Sequence, residues 1–208
     1  NTRILVVGYD YAFGKGRRGN AELLANLGKE YGYVLEQLAP VYIQNDIVSS
    51  TRIRDALLRG DVEEACSLLG RPHSVDGVVE HGMNRGGRLL GFPTANLRMQ
   101  DDLMLPKTGV YAVLAEVNPT RHCLPGIYST GACTYLPGVA NVGKNPTFAD
   151  EPLHVETHLL DFQENIYDSA FRVHFVKRLR DEVKFNGVNE LIEQIRCDCL
   201  TARDFFRA

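Results

Sequence analysis

No apolar run in these 208 residues approaches the roughly 18 that a membrane-spanning helix needs, so the chain offers no candidate for one. Basic charge is not in excess either: 23 Lys and Arg face 26 Asp and Glu, a net charge of −3. Phosphate neutralisation needs a basic surface, and this balance argues against nucleic acid as the main partner. Cysteine is scarce and unpaired. Cys66, Cys123, Cys133, Cys197 and Cys199 are odd in number and contain no Cys-x-x-Cys, which argues against a disulfide framework and structural zinc and points to a reducing cytoplasm. No signal-peptide pattern, internal repeat or low-complexity tract is visible. The chain opens inside an apolar run, "RILVVGYD", from which further residues are expected ahead of it.

What is present reads as globular, with 44% hydrophobic residues and enough length for one large or two small domains. Residues 1–70 read as α/β. "ILVV" suits a buried parallel strand and "YVLEQL" a second. Between them Leu23, Leu24, Leu27 and Tyr31 follow Asn20, a helix cap, at helical spacing. Two short helices follow: "SSTRIRDALLR", stopped by Gly60, and one opened by Asp61 with Glu64 three residues on and closed by Gly70 and Pro72. After Pro72 the texture changes to short alternating runs ("SVDGVVEH", "GVYAVLAEV", "VANVG", "HVETHLLDF", "FRVHFV") separated by turns, the pattern of an antiparallel barrel or sandwich. The last segment is helical, with Val188, Leu191, Ile192, Ile195, Cys199 and Ala202 on one stripe. A domain boundary is expected near 70–72.

Four stretches carry possible chemistry. The run "HGMNRGGRLLG" places Gly82, Gly86, Gly87 and Gly91 among Arg85 and Arg88; its backbone N–H groups could approach phosphate, or it is simply a turn. It lacks the Gly-Lys-Ser/Thr of a Walker A loop, and "GYDYAFGKG" fails the same comparison. In "GFPTANL", Thr94 and Asn96 share a side if the segment is extended. They offer neutral oxygens of the kind Mg²⁺ accepts, or a local turn that satisfies backbone groups. Pro93 disfavours a central strand position there. In "HVETHLL", a strand would set His154, Glu156 and His158 on one face, as a general base, a metal ligand set or a solvated edge. "SSTRIR" is either a phosphate site at a helix start or an ordinary cap on a basic helix.

These motifs stand in a definite order: "SSTRIRDALLRGDVEEACSLLGRPH", "GRLLGFPTANL", "LPKTGVYAV", "GVANVGKNPTF", "VETHLLDF", then "LRDEVKF" with "LIEQI". Together they resemble the bacterial bifunctional riboflavin kinase/FMN adenylyltransferase (FAD synthetase) family over essentially the whole chain. The resemblance implies that residues 71–208 are a complete riboflavin kinase module, a six-stranded antiparallel β-barrel with a C-terminal helix. It implies that residues 1–70 are the C-terminal part of an FMN adenylyltransferase module, an α/β remnant of a Rossmann-like nucleotidylyltransferase domain. That family's His-x-Gly-His motif does not occur in these residues, so FMN without FAD is the expected product.

The same resemblance implies the site. Mg²⁺ falls to Thr94 and Asn96, and the catalytic base to Glu156. ATP falls to Gly82, Arg88, Thr94, Asn96 and Tyr167. The flavin falls to Arg180 and Phe185, with Asn145 to Phe148 shaping that region. Ser49, Ser50, Thr51 and Arg54 would be the remnant of the adenylyltransferase phosphate site. Riboflavin/FMN and ATP/ADP are the implied ligands. Two rivals stay open: a transition-metal site on His154, Glu156 and His158, and a non-catalytic flavin- or nucleotide-binding barrel.

Overall fold

A computed structural model describes residues 2–80, 92–100, 102–119, 135–144 and 153–207. They fall into two compact units, residues 1–48 and 49–208.

In the first unit, β1 (Ile4–Gly8) and β2 (Val34–Leu38) pair in parallel, Ile4 opposite Val34, and α1 (Ala21–Tyr31) connects them. The expected cap is made: the Asn20 side chain accepts from the Leu23 N–H at 2.9 Å. Gly32, left-handed at φ 76°, ends the helix by donating to the Gly28 carbonyl. A two-residue hairpin follows, β3 (Tyr42–Ile43) against β4 (Asp46–Ile47), and was not apparent in the sequence. Its turn places Gln44 and Asn45 at φ 52° and 66°. Tight hairpins usually signal such positive φ with Asn-Gly or Asp-Gly, and Gln-Asn hides it.

The second unit opens with α2 (Ser50–Arg59) and α3 (Val62–Leu69). Six strands follow: β5 (His73–Glu80), β6 (Ala95–Met99), β7 (Gly109–Val117), β8 (Leu136–Gly143), β9 (His154–Leu159) and β10 (Ala170–Arg180). They close into a barrel in the order β10-β5-β6-β9-β8-β7, every pair antiparallel. Closure needs bending, and β10 supplies it with register shifts against β7 between Phe175 and Lys177 and between Arg178 and Arg180. β6 is a central strand although Pro93 precedes it. The ladder begins at Ala95, so the missing proline N–H falls outside it.

Strand alternation fills the barrel with Val79, Leu97, Val113, Val142, Val155, Phe171, Val173 and Phe175. Ala56 and Leu57 of α2 and Val62 and Ala65 of α3 belong to this same core. That burial places α2 and α3 in the compact unit that begins at Ser49. The two helices are separate in pattern from the barrel but join it by packing. Between them Gly60 sits at φ 82°, a conformation that favours glycine, and a Cβ there would also lie 2.6 Å from Arg178 Nε and force that side chain to move.

A second core lies on the outside of the barrel. There α4 (Val188–Arg207) sets Cys199 and Ala202 against Val110, Ala112, Val139 and Leu160. Burial raises the Cys199 thiol to about 11, which keeps it protonated and unreactive. The groove between α4 and the outer barrel wall positions the site.

Candidate active site

Strand β9 alternates strictly. Val155, Thr157 and Leu159 face the interior at 0%, 0% and 5% exposure, leaving His154, Glu156 and His158 on the outer wall. Across the ladders, Glu156 stands directly opposite Asn96 on β6 and Asn141 on β8. The row continues through Val110 of β7 to Arg180 of β10. Directly opposed residues of antiparallel strands share a face, so Asn96, Glu156, Asn141 and Arg180 lie on one outer band of the barrel.

A cleft of about 330 Å³ runs along this band under α4, lined by Thr94, Asn141, Glu156, His158, Arg180 and Phe185 among others. Asn96 borders Glu156 in register but is not among the lining residues. Arg180 is held firmly. Its Nε and Nη2 donate to the Asp198 carboxylate at 2.9 and 2.7 Å, and Gln194 Nε2 donates to the same carboxylate at 3.0 Å. The guanidinium carbon lies 5.9 Å from the centre of the Phe185 ring.

A second cavity, of about 200 Å³, opens on the other side of Thr94. Val79, Ala95, Thr157, Leu159, Ile166 and Tyr167 contribute to its walls. Thr94 lines both cavities. The turn that carries it is tied down by His158, whose Nδ1 lies 2.8 Å from the Pro93 carbonyl while its ring meets Phe92 edge-on at 5.3 Å. A carbonyl only accepts, so Nδ1 carries the proton.

The expected residues therefore gather unevenly. Thr94, Asn96, Glu156, Arg180 and Phe185 come together along one band and its cleft, and Tyr167 faces the adjoining cavity. Gly82, Arg88 and residues 145–148 lie outside the described residues. Ser49, Ser50, Thr51 and Arg54 sit at the start of α2, where Ser49 Oγ accepts from the Arg52 N–H at 3.2 Å, the bond of an ordinary cap.

The transition-metal alternative is not supported. Among the described residues no three His, Cys, Asp or Glu side chains converge on a metal position. His154 Nε2 lies 3.6 Å from Glu156, while His158 turns its Nδ1 to Pro93 instead.

Two contributors escaped the sequence. Asn141 joins Glu156 only through strand register, which sequence alone does not disclose. Asp198 had a faint signal, a carboxylate beside the apolar stripe of the last helix; it is 5% exposed and neutralises Arg180. One further group stands out: the Thr157 hydroxyl is fully buried and has no hydrogen-bond partner among the described residues. An orphaned polar group of this kind costs about 1–3 kcal/mol.

With this geometry in place, comparison with known proteins is direct. The family model described as riboflavin kinase matches residues 69–206, well over half of the chain. The chain belongs to the riboflavin kinase family. A second model, described as FAD synthetase, matches residues 1–52. The bifunctional riboflavin kinase/FMN adenylyltransferase of Bacillus subtilis is 39% identical over 99% of the chain and 61% of its own length. Its namesake in Escherichia coli is 38% identical over 98% of the chain and 60% of its length. A crystal structure from Streptococcus pneumoniae, described as a macrolide-efflux protein, superposes with a TM-score of 0.75 at 36% identity, covering 96% of this chain and 60% of that one. The chain thus spans about 60% of the length of the curated relatives named here. No helix among its described residues is long and apolar enough to cross a membrane.

Proposed function

We propose that the barrel transfers the γ-phosphoryl group of ATP to the 5′-hydroxyl of the riboflavin ribityl chain, giving FMN and ADP. The observation that carries this reading is the place of Thr94, on the rim shared by two cavities, one beside Tyr167 and the other beside Glu156, Arg180 and Phe185. A reaction that moves a group between two molecules needs two adjoining sites that meet where the group crosses.

In this reading the nucleotide takes the Tyr167 side and the flavin takes the cleft under α4. There the Phe185 face, backed by Arg180, suits a flat aromatic ring system. The riboflavin hydroxyl oxygen attacks the γ-phosphorus, the bond to the β,γ-bridging oxygen breaks, and ADP leaves. Glu156 accepts the hydroxyl proton. Its side chain is 41% exposed, so it meets solvent and substrate without a large desolvation cost. Such transfers ask for alignment and charge neutralisation more than covalent chemistry.

Thr94 and Asn96 fit Mg²⁺: a hydroxyl and an amide carbonyl are hard, neutral oxygens, Asn96 stands between the carboxylates of Glu156 and Glu80 in register, and Thr94 lines the same cleft as Glu156. When bound, the ion would neutralise phosphate charge. The ATP contacts of Gly82 and Arg88 belong to the same proposal.

The match of residues 1–52 to FAD synthetase supports FMN adenylylation as a second activity of the longer family chains, with Ser49, Ser50, Thr51 and Arg54 as candidate phosphate contacts. The thiols of Cys66, Cys197 and Cys199 are free, in keeping with a cytoplasmic enzyme. The deciding experiment incubates these 208 residues with Mg²⁺, ATP and riboflavin and quantifies FMN and FAD. FMN without FAD is expected. Riboflavin binding with no FMN formed would favour the non-catalytic flavin-binding barrel instead.

A further inference from the structure

Thr157 is an anomaly inside the barrel. Its interior neighbours along β9 are Val155 and Leu159, and valine, the same shape without the hydroxyl, would suit the position better. The chain nevertheless places a hydroxyl there, with no exposure and no partner among the described residues. The residues directly across from it on both sides are alanines, Ala95 on β6 and Ala140 on β8. Thr157 and Ala95 are among the residues lining the 200 Å³ cavity that also touches Thr94 and Tyr167.

That cavity has mostly apolar walls in Val79, Leu159, Ile166 and Phe162, and no Lys or Arg among its lining residues. A recess whose one charged lining residue is the carboxylate of Glu164 suits a heteroaromatic base far better than a phosphate, whose charge would meet no cation there.

We propose that Thr157 is a nucleotide-base contact: its hydroxyl gains its missing hydrogen bond from a polar ring edge of the purine of ATP, seated in the cavity between β6 and the Phe162–Tyr167 turn. The inference rests on the kinase reading for the identity of the ligand, and it adds a specificity residue to that site. A hydroxyl both donates and accepts, so it can meet a ring nitrogen or an exocyclic amine. The unsatisfied group of the empty barrel is then the cost of a preformed partner for the base.

Thr157→Val and Thr157→Ser separate this role from packing. For each variant the melting temperature is measured without ligand and with Mg·ADP, together with KM for ATP and for riboflavin. Thr157→Val is expected to melt no lower than wild type when empty, since it keeps the shape and loses the orphaned group. Its stabilisation by Mg·ADP should shrink and its KM for ATP rise about tenfold, the loss of one net hydrogen bond. KM for riboflavin should stay within about twofold. Thr157→Ser should restore both nucleotide readouts. Wild-type ADP stabilisation and ATP KM in Thr157→Val would overturn the assignment. Failure of the kinase reading looks different: wild type would form no FMN, and the ADP-induced shift would still decide Thr157. A wild type that ADP does not stabilise sinks both.

Discussion

Asn96 and Glu156 stand directly opposite one another on adjacent antiparallel strands, side chains on the outer face of a closed barrel. One offers a neutral oxygen and the other a carboxylate, and β-sheet geometry fixes their spacing without any help from loops. On the proposed kinase reading, Glu156 is the group that takes the hydroxyl proton during phosphoryl transfer. Replacing it with Gln keeps size and removes the basic site. FMN formation at saturating substrates should fall by about 10²–10⁴, the usual contribution of a general base. Because the side chain is 41% exposed and the imidazole of His154 stays 3.6 Å away, the melting temperature should not move. Wild-type kcat in Glu156→Gln would remove Glu156 from the mechanism.

The donors proposed for Mg²⁺ carry no charge, which makes the proposal testable. Thr94 and Asn96 alone hold a divalent cation weakly, since hard cations draw most of their affinity from anionic oxygens. Titration calorimetry on the ligand-free protein should show negligible Mg²⁺ binding up to millimolar concentrations, and much tighter binding once ADP is present. Micromolar affinity without nucleotide would mean that a carboxylate beside Asn96, Glu156 or Glu80, is a ligand.

Much of this arrangement was legible in sequence because it follows from strand alternation. The parity of Val155, Thr157 and Leu159 against His154, Glu156 and His158 divides β9 into an inner and an outer face, as the barrel realises it. The caps at Asn20, Ser49 and Asp61 are equally local, each a side chain accepting from the backbone three residues on. What stayed hidden depends on register and packing. Nothing in "VANVG" announces that Asn141 will face Glu156; only the pairing of β8 with β9 does so. The role of Asp198 needs α4 to lie across the wall and meet Arg180. The docking of α2 and α3 into the barrel core is likewise a packing outcome that helical periodicity does not encode.

Stability should respond to acid through two histidines. Burial lowers the pKa of His174, 1% exposed, against the opposing pull of the Glu116 carboxylate 2.7 Å away; Arg172, Asp76 and Tyr135 complete its charged and ring neighbours. Burial also lowers His73, whose Nε2 lies 2.7 Å from the Met104 carbonyl. In the unfolded chain both take a proton near pH 6.5; in the folded protein they do so only at lower pH. The unfolded state therefore binds more protons in that window, and stability falls as pH drops below about 6.5. Melting curves between pH 7.5 and 5 should show this loss, and His174→Gln should flatten it. A melting temperature independent of pH over that range would show that neither imidazole is held neutral by burial.

Arg180 of β10 and Asp198 of α4 pair across the cleft, so on the proposed reading flavin binding there depends on the docking of α4. The side chains are 20% and 7% exposed, and two guanidinium nitrogens meet one carboxylate. Removing only the acid strands a cation in the groove, whereas replacing both partners by apolar groups strands nothing. Asp198→Ala should cost about 3 kcal/mol in urea unfolding, the low end for breaking a buried pair, because Arg180 keeps some contact with water. Arg180→Met combined with Asp198→Leu should recover most of that stability. The activity readout should part company with the stability readout: both the single and the double variant should show a raised KM for riboflavin with the KM for ATP unchanged, since only the flavin cleft contains the pair. A double variant with restored stability and wild-type riboflavin KM would reduce the ion pair to a strut for α4 and take Arg180 out of flavin recognition.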